Sequence, residues 1–285
     1  MPKFERYSTD DGSVTFFSAE FGQSFHSKHG AIEESIDKFV VPTLLEQKAA
    51  RGYLRLLDVC YGLGYNTAAA LSTIWKSNPD CIVEIIALEL DETVAVNAIE
   101  QQIFEDWVAP IPALLDELAR NQAIDNDQLT AKLLFGDARL TIDRVLAQNF
   151  QADAIFLDPF SPQVCPQLWT IEFIDKLAHC CAKDGRIATY SCAVAVRVAM
   201  IAAGLEVADT ISDKRKKPGS IAGFSLGELP PFSQQESEHF QTRAAIPYRD
   251  PSCCDLIDKI IRRRELEQVD CGLETTSQWK KRWRR

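Results

Sequence analysis

Four carboxylates stand where a carboxylate does chemistry on a nucleoside: Asp58, Glu89, Asp137 and Asp158. Each lies within two residues of the end of a short apolar run: Tyr53 to Val59, Ile82 to Glu89, Ala131 to Phe135 and Ala152 to Leu157. Runs of this length and polarity read as buried strands. Ligands of a doubly wound α/β sheet bind outside the carboxyl ends of its strands. After Asp58 comes a turn with two glycines, Gly62 and Gly64, and then a helical pattern. Glycine lets the backbone approach a ligand closely, and the helix start beyond it offers free N–H groups. Glu89 follows Gly64 by 25 residues, the place from which an acid accepts ribose hydroxyls. Thr67 stands where the third glycine of a G-x-G-x-x-G fingerprint would fall. A nucleoside ligand without a pyrophosphate, such as S-adenosylmethionine, is therefore expected rather than NAD or FAD.

Each of these acids on its own reads equally as a helix N-cap. Four on separate strand ends point to a site. Glu89 is the ribose candidate. Asp137 would accept from an adenine amino group, with Ala138 offering a backbone N–H. Asp58 would anchor the glycine loop or the amino-acid end of the cofactor. Gly62, Gly64 and Asn66 complete the expected cofactor-binding set.

The segment Asp158-Pro159-Phe160-Ser161-Pro162 is different in kind, because two prolines stiffen the loop around an aromatic. A loop of acid, proline and aromatic after the fourth strand resembles the amine-holding loop of amino-methyltransferases. There the acid accepts amine N–H groups and the ring stacks on the base or covers the methyl group. Asp158 and Phe160 are thus the catalytic candidates, with Pro159 and Ser161 touching substrate. The bland alternative is a proline-rich turn. No His/Cys spacing matches a zinc site and no metal is expected. No serine occupies a nucleophile elbow.

These residues need a scaffold, and the chain supplies a strand–helix alternation from Tyr53. At 285 residues with 46% hydrophobic and 25% charged content it is ordinary for a globular protein. No apolar run reaches the ~20 residues of a membrane helix. The N-terminal residues lack a signal-peptide layout, so a cytoplasmic location is expected, with the nine cysteines reduced. Residues 1–50 form a lead with strand-like and then helical spacing, broken at Pro42. Residues 51–227 form the main domain, with an irregular, partly helical insertion at about 103–130. Two short strands, Leu205 to Ala208 and Ser220 to Ser225, close it as a hairpin that inserts one antiparallel strand. Residues 228–285 read as a polar, basic tail that packs loosely.

These pieces resemble a known family. FGQSFHSKHGAIEESIDKFV, LLDVCYGLGYNTAAAL, IIALELD, LLFGDAR, DAIFLDPFSPQVCPQLW and TYSCAVAVRVAMIAAGLEV occur in this order in the methyltransferase domain of the bifunctional tRNA-modifying MnmC proteins and in its stand-alone relatives. The likeness spans about residues 13–227. It implies an α/β class I methyltransferase: Rossmann-like, doubly wound, with a mostly parallel seven-stranded sheet and an N-terminal extension. It implies S-adenosylmethionine as methyl donor and tRNA as partner, the 5-aminomethyl group of wobble 2-thiouridine being methylated. The bifunctional proteins add a flavin oxidase domain; with no second glycine fingerprint here, FAD is not expected. One departure is Val164-Cys165, which replaces a basic and polar pair of the family loop. The alternatives are an amine methyltransferase for another nucleoside or small molecule, and a nucleotide-binding protein without catalysis.

A net charge of −10 argues against broad nucleic-acid coating, so the distribution of basic residues matters more. Lys214-Arg215-Lys216-Lys217 is a basic run before the last strand, read either as phosphate contacts or as a solvated loop. If the four residues contact phosphate, replacing all of them by glutamine weakens tRNA binding. It also lowers the log–log salt slope by somewhat under about one unit per lost contact. Cofactor affinity should not move. Filter binding across a salt series measures this, and identical slopes would make the run a solvated loop.

Overall fold

The protein is described here by a computed structural model covering residues 4–210 and 218–283. Lys214, Arg215, Lys216 and Lys217 lie outside the described residues. The lead builds a small antiparallel sheet from β1 (Phe4–Ser8), β2 (Val14–Ser18) and β3 (Gln23–Ser24). A helix α1 (Ala31–Ser35) continues as a π-helical turn (Ile36–Val40), followed by α2 (Leu45–Lys48). The main domain then runs β4 (Tyr53–Val59), α3 (Tyr65–Ser77), β5 (Ile82–Glu89), α4 (Glu92–Glu100), α5 (Ile111–Asn121), β6 (Ala123–Asp125), β7 (Leu129–Phe135) and α6 (Ala138–Leu146). It continues through β8 (Ala152–Leu157), a 3₁₀ turn (Pro166–Trp169), α7 (Ile171–His179), β9 (Cys181–Thr189), α8 (Val194–Ala202), β10 (Glu206–Asp209) and β11 (Ser220–Gly223). Beyond it lie α9 (Gln234–His239), α10 (Ile257–Asp270) and α11 (Thr276–Trp283).

The large sheet has the order β10-β11-β9-β8-β4-β5-β7-β6. Its centre is parallel: β4 pairs with β5 and β8, β5 with β7, and β8 with β9. From β4 the chain winds outward through β5 and β7, then returns to the other side of β4 through β8 and β9. That reversal leaves a crevice at the carboxyl ends of β4 and β8, where a doubly wound sheet binds its ligand. β11 lies antiparallel between β9 and β10, the inserted strand expected of the closing hairpin. Two apolar layers sandwich the sheet. One joins the lead, α3, α4 and α5; the other joins α6, α7 and α8.

The structure corrects three sequence expectations. The sheet has eight strands rather than seven, because β6 adds an antiparallel edge to β7. The stretch at about 103–130 runs in turns only as far as Pro110 and is then regular, as α5 and β6. Ile111, Leu115 and Leu118 make a buried helical stripe on α5, and Ile124 of β6 is buried beside it. Residues 228–283 are not a loose tail but an ordered appendix. Tyr248 and Ile260 are buried against the α6–α8 layer. Its basic residues have partners within the appendix: Arg263 pairs with Asp255 at 2.7 Å, and Arg264 donates to the Ile246 carbonyl at 2.6 Å while lying over the Tyr248 ring. The segment's polar composition hid a fold held by charge pairs around few apolar anchors.

Arg197 on α8 ties this construction together. Its side chain is 3% exposed; it pairs with Asp209 of β10 and with Glu236 of α9, and donates to Ser220 of β11 at 2.9 Å. Its guanidinium also lies 4.8 Å from the Phe232 ring centre. Arg197→Met should destabilise the fold at or below the lower end of the ~3–5 kcal/mol typical of breaking a buried ion pair, because both acids keep partial contact with water. Urea denaturation reads the loss; an unchanged midpoint would demote Arg197 to a bystander.

Candidate cofactor and substrate site

A cavity of about 1110 Å³ opens at the carboxyl ends of β4, β5, β7 and β8, with the lead forming one wall. Seven carboxyl side chains line it: Glu20, Glu34, Glu89, Asp91, Glu92, Asp137 and Asp158. The basic side chains on the same wall are Lys28 and His26. Burial and the charges of Glu34 and Asp11 act oppositely on His26; burial wins and pulls its pKa down to about 4, so the ring is neutral near pH 7. The wall thus carries a strong excess of negative charge, suited to a cationic ligand.

The glycine loop is shaped by its neighbours. Cys60 and Tyr61 donate backbone N–H groups to the Leu88 carbonyl at 2.9 and 3.0 Å, fastening the loop to β5. Gly62 (φ 56°) and Gly64 (φ 93°) take left-handed conformations. A Cβ at Gly64 would sit 2.6 Å from the Tyr61 hydroxyl oxygen, so only glycine fits there. Glu89 accepts from the Gly62 N–H at 2.8 Å through one oxygen, and from Leu90 and Asp91 N–H groups at 2.8 and 3.0 Å through the other. Burial nevertheless pushes its pKa up, outweighing those three donors.

Asp58 does not line the cavity. Its carboxylate accepts from Thr67 Oγ1 at 2.7 Å behind the loop, and its second oxygen is buried without a hydrogen-bond partner among the described residues. Burial pushes its pKa up to about 7, with Glu89's charge adding and the Thr67 bond opposing. From this position it bonds the first turn of α3 through Thr67 and does not reach the cavity. Gly64 also lies off the cavity wall and acts through the turn.

Asn66, Asp158 and the loop after it make the opposite wall. Asn66 Nδ2 donates to Asp158 at 2.8 Å, while Asn66 Oδ1 is buried without a partner among the described residues. An orphaned acceptor in such a wall fits a ligand that brings a donor, as an α-amino group does. Burial raises the Asp158 pKa well above the ordinary range; Glu34's charge adds and the Asn66 bond opposes. Phe160 stacks on Phe21 at 4.6 Å between ring centres and meets Phe25 edge-on at 5.3 Å. The Pro159 carbonyl accepts from Tyr190, and the loop's shape is set by Trp169 Nε1 donating to the Phe160 carbonyl. Ser161 exchanges two hydrogen bonds with Gln23 of β3, at 2.7 and 3.1 Å.

On the third side, Asp137 caps α6 and is gripped by Arg139, whose terminal nitrogen lies 2.7 Å from its Oδ2. Asp137 and Ala138 line the cavity beside Gly136. The structure therefore gathers Gly62, Asn66, Glu89, Asp137, Ala138, Asp158, Pro159, Phe160 and Ser161 around one cavity. Glu34, Gln23, Phe21, Phe25 and Tyr190 join them without having been singled out for the site. The density of aromatic and polar groups in FGQSFHS was the available signal for the lead. Nothing local tied it to a strand-end loop more than 130 residues away. Among the described residues no three His, Cys, Asp or Glu side chains converge as a metal site requires. No helix there is long and apolar enough to cross a membrane.

Known proteins share this architecture. A family described as S-adenosyl-L-methionine-dependent methyltransferase matches residues 96–225. MNMC2 from Aquifex aeolicus is similar in structure, with a TM-score of 0.82 and 32% identity over 93% of this chain and 85% of that one. An uncharacterised protein of Methanocaldococcus jannaschii is 29% identical over 90% of this chain and 70% of its own length. The tRNA 5-methylaminomethyl-2-thiouridine biosynthesis bifunctional protein MnmC of Acidovorax sp. is 28% identical over 70% of this chain. The match spans only 32% of that bifunctional relative's length.

The raised carboxyl of Asp58 has a consequence for the ligand-free protein. A folded-state pKa of about 7 against an ordinary 3.8 means that the folded chain binds this proton more tightly than the unfolded one. That stability is fully present below the ordinary value and is lost as pH rises through about 7. The melting temperature should fall from about pH 5 to about pH 8, and Asp58→Asn should flatten the fall. Differential scanning calorimetry across that range decides it; parallel curves for the two proteins would contradict the buried-carboxyl reading.

Proposed function

The chain belongs to the S-adenosylmethionine-dependent methyltransferase family of MnmC, and from that premise we propose that it N-methylates an aminomethyl group on a tRNA base. The substrate we infer is 5-aminomethyl-2-thiouridine at the wobble position, and the product its 5-methylaminomethyl form. The observation that carries this reading is Asp158, a carboxylate on the wall of an acidic cavity. It is held there by Asn66 and lies beside an aromatic shelf of Phe160, Phe21 and Phe25.

The residues fit the donor. Asn66 Oδ1 is an unused acceptor for an amino group, and Gly62 keeps the wall free of a side chain. Glu89 reaches the cavity for the ribose hydroxyls, and Asp137 and Ala138 offer an acceptor and a backbone N–H to adenine. S-adenosylmethionine, when bound, supplies an electrophilic methyl carbon on a positively charged sulfur.

The chain's own residues do the remaining work. An alkyl ammonium must lose a proton before its nitrogen can attack, and its pKa lies somewhat below the ~10.4 of lysine. Asp158 accepts the ammonium N–H and takes that proton. Its raised basicity narrows the gap between donor and acceptor, so the transfer costs less than it would to an ordinary carboxylate. Glu34 adds a second negative charge that raises that basicity further and attracts the cation. Phe160 and its two aromatic neighbours supply faces on which a base can stack, and alignment of the freed nitrogen with the methyl carbon gives most of the rate. The nitrogen gains the methyl carbon, the carbon–sulfur bond breaks, and a neutral thioether is left.

Incubation with hypomodified tRNA and methyl-labelled donor tests the substrate. Label in the wobble nucleoside is expected; label only in a small amine would favour an amine methyltransferase of different substrate. Asp158→Ala should bind donor nearly normally yet lose two or more orders of magnitude in single-turnover rate, within the ~10²–10⁴-fold of general-base catalysis. Near-normal turnover would move the proton acceptor elsewhere.

A further inference from the structure

Asp250 lies in the C-terminal appendix, beyond residues 96–225 that the family model matches, yet it is fully buried. One of its oxygens accepts from the Asp255 and Cys254 N–H groups at 3.1 and 3.3 Å. The other accepts from the Arg139 guanidinium at 2.8 Å. The same Arg139 nitrogen donates to the Asp255 carbonyl at 2.9 Å. Through its remaining nitrogens Arg139 grips both oxygens of Asp137, at 3.1, 3.1 and 2.7 Å. A planar guanidinium between two carboxylates fixes the plane of each.

We propose that Asp250 is a positioning residue for donor recognition, acting through Arg139 to hold the Asp137 carboxylate toward adenine. This rests on the reading that Asp137 accepts from the adenine amino group. Asp137 is a third exposed and is the N-cap of α6, where the Arg139 backbone N–H, 2.9 Å from one of its oxygens, alone would hold only that oxygen. The Arg139 guanidinium engages both oxygens and so fixes the plane of the carboxylate whose outer edge lines the cavity. Asp250 in turn holds Arg139, whose side chain is only 12% exposed. The appendix is anchored for this task on α7: Glu172 accepts from the Asp250 N–H at 2.8 Å and from Arg249 at 2.7 Å. Lys176 of the same helix donates to the Arg139 carbonyl at 3.0 Å. Adenine selectivity would then depend on a segment that contributes no atom to the cavity.

The experiment compares affinities for S-adenosylhomocysteine and for S-inosylhomocysteine, in which a carbonyl oxygen replaces the adenine amino group. The wild-type chain should prefer the adenine form by at least about tenfold, because an acceptor facing an acceptor loses the bond and repels. Asp137→Ala should abolish the preference. Asp250→Asn should lower it about three- to tenfold and raise the donor KM, leaving kcat at saturating donor unchanged. Arg139→Lys keeps the charge but not the two-pronged grip. It should lower the preference likewise, and it reads the same coupling if Asp250→Asn does not fold. Loss of preference in Asp137→Ala with a wild-type ratio in Asp250→Asn and Arg139→Lys would overturn the positioning role alone. A wild-type ratio in Asp137→Ala would overturn the adenine reading, and the proposal with it.

Discussion

Crowding of carboxylates at the ends of β4, β5, β7 and β8 is the constraint on which the site depends. Asp58, Glu89 and Asp158 are all driven toward the protonated form, burial being the largest cause for each. A fold that only needed stability would not gather them, since an unpaired buried charge is costly. The cost is spread by backbone donors on Glu89, by Thr67 on Asp58 and by Asn66 on Asp158. What remains is a cavity whose charge is best balanced by a positive ligand. A sulfonium donor is one such cation, and the alkyl ammonium proposed as its acceptor would be another.

The lead matters because it completes that cavity from outside the sheet. Tyr65, the first residue of α3, exchanges hydrogen bonds with both backbone groups of Val14 through its hydroxyl, tying β2 to the glycine loop's helix. Gln23 ties β3 to Ser161, and Phe21 and Phe25 pack on Phe160. The loop after β8 therefore has its acid fixed by α3 and its aromatic fixed by the lead. Gly30, at the start of α1, lets the Asp11 carboxylate approach so closely that a Cβ there would overlap it. That contact sets the helix carrying Glu34.

The main sheet was legible because its central strands are fully buried and read as continuous apolar runs. β4, β5 and β8 fall on the expected residues. The strand-end acids were legible for the same reason, since the end of each run marks the sheet's ligand edge. Other features were not. β6 is a three-residue edge strand whose pairing with β7 is a tertiary event with no local pattern. The appendix was hidden by its charge: Asp250, Asp255, Arg263 and Arg264 look like solvent-facing residues until their partners are known. Glu34 was not singled out, because Asp158, on which its charge acts, lies far along the chain. Asp58 was assigned to the right edge, but a strand's alternation did not reveal that it faces the loop's underside rather than the cavity.

The charge of the cavity also bears on turnover. In the reaction proposed above, the wall would face a sulfonium and an ammonium before transfer, and a neutral thioether and an ammonium afterwards. With Asp158 as the proposed proton acceptor, one unit of positive charge would pass from the ligands to the wall, which becomes less negative by the same unit. Attraction for the spent donor would then fall, while the contacts proposed for Glu89 and Asp137 would remain. The carboxylates that concentrate the cationic donor thus hold its neutral product more weakly. An acidic wall of this kind favours the charged donor over its product, which positioning by hydrogen bonds alone cannot do, because both carry the same adenosine and amino-acid ends.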